Sequence, residues 1–268
     1  MKKFLILLFI TAPLLLIGQH HMFHLAGQGG GTGLLEGVVA YYDFDESAGS
    51  GTAVDSMGSY NMTYYNNPTF GVTGKIGNCV ALNGNNEYIG RTTSDNAFCN
   101  STANTFSIWI QKYGGSGTGT SSCVYSRFSS VSDRCYLLNI SDSDGAAPYR
   151  SNASYYDSDD ASTGNNLYSP GSDIWASWTH IVFVRSNDDI TVYVNGVSVG
   201  SRDNYANGAM FQSTTSLTLD RVGVLYNGTL TQHFYGAVDQ FIVWNRALSS
   251  DDVAVLYNSG DGLPLYLW

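Results

Sequence analysis

The sequence predicts an all-β fold: a two-sheet antiparallel β-sandwich with one short C-terminal helix. Three observations carry this prediction. Short stretches of alternating apolar and polar residues recur along the chain, the period-two pattern of half-buried strands. The composition favours strands and turns over helices, with 30 Gly and 19 Tyr beside a Glu set limited to Glu36, Glu46 and Glu87. No solenoid or propeller period is visible, and at 268 residues one large sandwich fits the strand pattern better than two domains.

The chain opens with Lys2 and Lys3 and an apolar run from Phe4 to Ile17, the flank and length of a secretory leader and too short to span about 30 Å of hydrocarbon. Residues 1–26 are therefore expected to be a signal peptide or a retained apolar anchor. His20, His21 and His24 end that run; without Cys, Asp or Glu beside them they read as polar punctuation rather than a zinc site. Residues 27–35 form a Gly-rich tether, residues 36–258 the sandwich, and residues 259–268 an apolar tail ending Leu263-Pro264-Leu265-Tyr266-Leu267-Trp268.

Within the sandwich, strands are expected near residues 38–44, 60–65, 79–82, 87–90, 105–112, 122–128, 134–140, 177–185, 190–195, 197–201, 216–224 and 234–243. Asn195-Gly196 marks a tight hairpin, because both residues accept the positive φ that a two-residue turn needs. Ser249 or Ser250 caps a helix whose first turn holds Asp251 and Asp252 and which ends before Gly260; Val253, Leu256 and Tyr257 would pin it to the sandwich. Residues 114–122 and 141–173, rich in Gly, Ser, Asn and Asp, read as loops, where a rigid sandwich usually carries binding.

Charged residues are 13 % of the chain and the formal net charge is −10. That balance excludes nucleic acid and anionic membrane as partners and suits divalent cations; contact with a membrane would come only through residues 1–26. Cys79, Cys99, Cys123 and Cys135 allow three pairings. Cys123 and Cys135 flank a turn near residues 129–133, which favours their pairing and leaves Cys79 with Cys99, the plainer alternative being four buried thiols.

Specific wording narrows the fold. Trp178-Thr179-His180-Ile181-Val182-Phe183, Ile190-Thr191-Val192-Tyr193-Val194-Asn195-Gly196 and Gly236-Ala237-Val238-Asp239-Gln240-Phe241-Ile242-Val243-Trp244-Asn245-Arg246-Ala247-Leu248-Ser249 close the chain. Val38-Val39-Ala40-Tyr41-Tyr42-Asp43-Phe44-Asp45, Asp55-Ser56-Met57-Gly58, Gly74-Lys75-Ile76-Gly77-Asn78 and Leu82-Asn83-Gly84 precede them. Together these segments resemble the laminin-G-like, concanavalin A-like jelly-roll domains, over roughly residues 36–258. The resemblance implies the jelly roll but leaves function open among lectins, glycosidases, adhesion modules and virion proteins.

It also implies a structural Ca2+ at the sandwich rim, with Asp55 and Asp239 at the matching positions and Asp43 and Asp45 as further ligands. The Asp-rich runs 142–145 and 157–160 resemble calcium loops only loosely. Retaining glucanases of this superfamily carry Glu-x-Asp-x-x-Glu on one strand, with carboxyls about 5 Å apart. None of the three Glu here sits in that pattern, so no catalytic residue is expected. Asp43 and Asp45, on one strand face, are all that a glycosidase reading has to stand on. His180 and His233 read as structural.

Sugar rings offer apolar C–H faces and polar edges, so a lectin needs aromatic platforms beside hydrogen-bonding groups. Tyr149, Asn152, Tyr155, Tyr156, Tyr168 and Trp175 in and beside the long loop form the expected ligand surface. The reading is an exported, calcium-assisted, non-catalytic recognition or adhesion module for glycan on a cell or matrix surface. A structural subunit of a surface assembly or virion is the alternative, motivated by the apolar tail; a carbohydrate-active enzyme is the weaker one.

Overall fold

The computed structural model describes residues 33–91, 93, 98, 102–114, 121–130, 133–141, 153–155, 165–168, 176–187, 189–202, 219–226 and 228–265. The expected leader and most of the tether lie outside the described residues, as do Tyr266 to Trp268. The strands are β1 (Val38–Tyr42), β2 (Thr52–Ala53), β3 (Met62–Tyr65), β4 (Thr69–Thr73), β5 (Asn78–Asn83), β6 (Tyr88–Gly90), β7 (Ala103–Lys112), β8 (Ser121–Ser130) and β9 (Asp133–Ser141). They continue as β10 (Ala153–Tyr155), β11 (Asn165–Tyr168), β12 (Thr179–Ser186), β13 (Asp189–Val194), β14 (Val197–Arg202), β15 (Leu219–Val222), β16 (Leu225–Tyr226), β17 (Leu230–Thr231) and β18 (Tyr235–Trp244). A single α-helix, α1 (Ser250–Tyr257), follows them.

Two antiparallel sheets form the sandwich. The first runs β14-β13-β12-β7-β18-β5-β4, with β1 also paired to β18; the second runs β11-β10-β9-β8-β15-β6-β3-β2. β18 is the keystone of the first sheet. A bulge between Asp239 and Ile242, with Gln240 at φ 50, divides it, so its first half pairs with β5 and its second with β1. The main core lies between the sheets and includes Tyr42, Phe44, Ile89, Ile108, Val124, Ile181, Val222, Phe241 and Val243.

The first sheet has a second buried face. Val182, Val184, Ile242 and Trp244 pack there with Leu248, Val253 and Leu256 of the helical segment, and with Leu34 and Leu265. Burial on both faces explains why residues 178–184 read as an almost unbroken apolar run instead of an alternating one. Trp244 Nε1 donates to the Leu34 carbonyl at 2.7 Å, fastening the incoming chain. The expected helix forms with a complete capping box: the Ser249 hydroxyl accepts from Asp252 N, and the Asp252 carboxylate accepts from Ser249 N. Asn195 and Gly196 adopt the positive φ that their hairpin demands.

Two expectations are corrected. Residues 141–173 are not loop throughout, since β10 and β11 extend the edge of the second sheet from within them. Asp43 and Asp45 do not share a strand face. β1 ends at Tyr42, and Phe44 turns to φ 58 to bury its ring, which breaks the period of two. Cys79 and Cys123 are buried free thiols. The β8–β9 backbone register pairs Cys123 with Asn139, and Cys135 falls between the partners of Arg127 and Phe128. Cys99 lies outside the described residues.

Candidate functional site

The four expected metal ligands occupy two separate arrangements. Asp55, 1 % exposed, spends its carboxylate on four backbone N–H groups: Tyr41 (2.9 Å) and Met57 (3.0 Å) on Oδ1, Ser59 and Tyr60 (both 3.0 Å) on Oδ2. It is the pin of the 55–60 turn. Asp239 Oδ2 accepts from Lys75 N (2.7 Å) and Ile76 N (2.9 Å), tying the 74–77 turn to β18. Its Oδ1 is buried without a hydrogen-bond partner. Asp45 Oδ1 accepts from Asn78 N at 2.5 Å, and Asp43 Oδ1 from Asp45 N at 3.2 Å.

The shared cation site that the resemblance implies would draw on these four carboxylates, each of which already accepts a backbone N–H. Asp55 has its lone pairs occupied. Among the described residues no group of three or more His, Cys, Asp or Glu is placed to hold a metal ion. The carboxylates fasten turns.

Asp239 has a measurable signature. Burial, reinforced by the nearby Asp45 charge and opposed by the two backbone donors, raises its carboxyl from 3.8 to about 7. The folded state therefore holds a proton that the unfolded chain has released. Its contribution to stability is full below about pH 4 and is lost as the pH rises through about 7. Asp239→Asn is expected to flatten the pH dependence of stability between pH 4 and 8 by about 4 kcal/mol, read by urea unfolding across that range. An unchanged slope would remove Asp239 as its source.

His180 behaves as the sequence suggests. It lies 1 % exposed on β12, stacks on Trp109 (4.8 Å between centroids) and bonds Ser107 Oγ through Nε2 at 2.8 Å. Burial drives its pKa down to about 3, so the ring is neutral. Tyr257 stacks on the same group. A Ser–His pair sealed beneath the helical segment has no path to a substrate. His233 is likewise buried, with its pKa lowered by burial.

The expected ligand surface is described in part. Tyr155 ends β10 opposite Asn165, and Tyr168 ends β11 opposite Ala153. Tyr149, Asn152, Tyr156 and Trp175 lie outside the described residues. β10 and β11 put Tyr155 and Tyr168 at the edge of the second sheet.

The outward face of that sheet carries residues the sequence reading passed over. Along β3 and β6, Tyr64 and Ile89 point into the core, so Tyr65 and Tyr88 point out. They are directly paired, and their half-buried rings stack at 4.3 Å with 8° between planes. Arg221 of β15, on the same face, lays its guanidinium over Tyr226 at 4.3 Å. Burial raises the Tyr88 phenol pKa, with Tyr65 adding to the rise and Arg221 opposing it. Gly90 completes the floor: a Cβ there would touch Tyr88 and Arg221 at 3.4–3.5 Å. The signal in the sequence was faint, because Tyr64-Tyr65 points one ring each way and Tyr65 meets Tyr88 only through register.

Comparison with known proteins assigns the architecture. Residues 83–254, well over half the chain, match the model of Laminin_G_3, the concanavalin A-like lectin/glucanases superfamily. The chain belongs to this family. It is 33 % identical over 93 residues to the bovine adhesion G-protein coupled receptor D1, covering 34 % of this chain and 9 % of that receptor. Against the human receptor D1 it is 28 % identical over 119 residues, 42 % of this chain and 12 % of that one. The aligned part thus spans about a tenth of these receptors. Domain 4 of AbnA, a GH43 extracellular arabinanase from Geobacillus stearothermophilus solved with arabinotriose, superposes with TM-score 0.55 at 20 % identity, over 81 % of this chain and 97 % of that one. A Trypanosoma rangeli sialidase mutant displaying trans-sialidase activity gives TM-score 0.59 at 16 % identity, over 84 % and 33 %. These structural likenesses establish the fold alone. No helix among the described residues is long and apolar enough to cross a membrane.

Proposed function

We propose that this chain is an exported, non-catalytic recognition module that binds carbohydrate on a cell or matrix surface through the outward face of its second sheet. The observation that carries the reading is the asymmetry of the sandwich. The outer face of the first sheet is roofed by α1 and Leu265, whereas the second presents the half-buried Tyr65 and Tyr88. Aromatic rings beside hydrogen-bonding groups suit the mixed surface of a sugar. The family is named for lectins as well as glucanases, and domain 4 of AbnA was solved with arabinotriose bound, which supports a sugar ligand on this fold.

Cleavage has weaker support. Glu46 accepts from Val54 N and from the Tyr64 hydroxyl, both at 2.6 Å, and Glu87 accepts from Asn83 N at 2.8 Å. Both carboxyls fasten turns, and neither is placed as one of a facing acid and nucleophile pair. Export rests on the leader-like residues 1–26. The assembly alternative loses much of its motive, because Leu265 is buried and Leu263 packs against the chain's own helix-side cluster. Tyr155 and Tyr168, on the edge strands of the second sheet, belong to the proposed ligand surface. A glycan array probed with the purified protein tests the reading: selective retention on a related set of glycans is expected, and a blank array contradicts it.

A further inference from the structure

We propose that Tyr65 and Tyr88, together with the turns that carry Asn66, Asn67, Asn85 and Asn86, form the subsite that takes a neutral pyranose ring. The inference rests on the carbohydrate reading above and gives it a place and a ligand class. Residues 66–68 carry the chain from β3 to β4, and residues 84–87 carry it from β5 to β6. Each crosses from one sheet to the other, so both lie at one rim of the sandwich beside the stacked pair. Asn66 Nδ2 donates to the Asn86 carbonyl at 2.7 Å, locking the two turns together. Asn83 Oδ1 accepts from the backbone N–H of Asn85, Asn86 and Glu87, which holds the second turn in shape.

The rim is preorganised but its recognition groups are unspent. Among the described residues neither the Tyr65 nor the Tyr88 hydroxyl has a hydrogen bond, and the side-chain amides of Asn67 and Asn85, both exposed, have none. Asn66 and Asn67 hold positive φ (63 and 59), a costly conformation for consecutive non-glycine residues that Asn tolerates best. The result is a rigid aromatic surface with amide donors and acceptors at its edge. That combination satisfies a sugar ring on its C–H face and at its hydroxyls together.

The class is set by charge. The rim offers side-chain amides and phenol hydroxyls as donors and acceptors. Its one carboxyl, Glu87, is turned away to accept from Asn83 N, and burial raises its pKa. A neutral oligosaccharide needs nothing more; the turns themselves carry no Lys or Arg, and Arg221 on the neighbouring face is buried with its guanidinium laid over Tyr226.

The test is titration calorimetry with cellotetraose, β-1,4-galactotetraose and tetragalacturonate as probes. The wild-type protein is expected to bind a neutral tetraose. Tyr65→Ala and Tyr88→Ala should each weaken it at least about tenfold, with Tyr88→Phe retaining most of it because the ring is kept. If either alanine variant melts early, Asn67→Ala with Asn85→Ala carries the test, since both residues are exposed and unbonded; a loss of about threefold or more is expected. Neutral binding that survives the Tyr65, Tyr88 and Asn variants but vanishes in Tyr155→Ala/Tyr156→Ala overturns this site while leaving carbohydrate recognition intact. Binding of tetragalacturonate alone overturns the neutral class. Failure of all three probes together with a blank glycan array overturns both readings.

Discussion

Replacing Asp220 with Asn will cost about 3–5 kcal/mol of stability, among the largest effects expected of any single change in this chain. Asp220 is wholly buried on the inner face of β15 and is the anionic centre of a desolvated cluster. Both of its oxygens accept from Arg127 Nη1 (3.0 Å each), Oδ2 accepts from Arg91 Nη1 (3.1 Å), and Oδ1 accepts from the Tyr125 hydroxyl (2.6 Å). Arg91 also lies over the rings of Tyr60 and Phe98. Coulomb attraction at these distances offsets part of the cost of taking the guanidinium groups out of water, and that part is forfeited with the carboxylate. Asn keeps the shape and removes the charge, so the loss reports the lost ion pairing and not a cavity. Urea unfolding measures it. A loss below about 1 kcal/mol would mean that water reaches the cluster and screens it.

Asp55→Ala is expected to cost about 2–4 kcal/mol, because it strands four backbone donors at once, of which Tyr41 N is the most deeply buried. Asp55→Asn keeps one acceptor oxygen and should lose less. The same protein separates this role from cation binding. A cation held at 100 times its dissociation constant would add about 2.7 kcal/mol, a difference that chelation would abolish. With the carboxylate spent on N–H groups, chelator is expected to leave the melting temperature of the wild-type protein unchanged. A chelator-sensitive melting temperature that Asp55→Ala renders insensitive would contradict the turn-pin account.

Long-range order in this fold was written in local signals wherever the signal had one physical meaning. Asn195-Gly196 dictates its hairpin because few other residues accept that backbone, and Ser249 with Asp252 dictates the helix start because the two side chains satisfy orphan donors reciprocally. The long strands β7, β12 and β18 were legible from apolar content alone. β2, β16 and β17 were not, having two residues each, and β4 is polar and Gly-containing along its exposed side. The polar composition of residues 141–173 likewise concealed β10 and β11.

The site was less legible than the fold, for related reasons. Carboxylates at family positions look alike whether they bind a cation or cap a turn, and only the four N–H groups on Asp55 distinguish the two. Phe44 turned Asp43 and Asp45 out of a strand through one positive φ that no local residue pattern announces. The hairpin bulges that separate Cys123 from Cys135 are invisible in spacing. Tyr65 and Tyr88 stand 23 positions apart and become a platform only when β3 and β6 pair.

The central claim is recognition of carbohydrate without cleavage, and one measurement addresses both halves. The protein is titrated calorimetrically with a glycan retained on the array, and the recovered glycan is then examined by mass spectrometry after prolonged incubation. The account predicts saturable binding and an unaltered glycan mass. A shortened glycan, or the absence of any heat from every retained glycan, would contradict it.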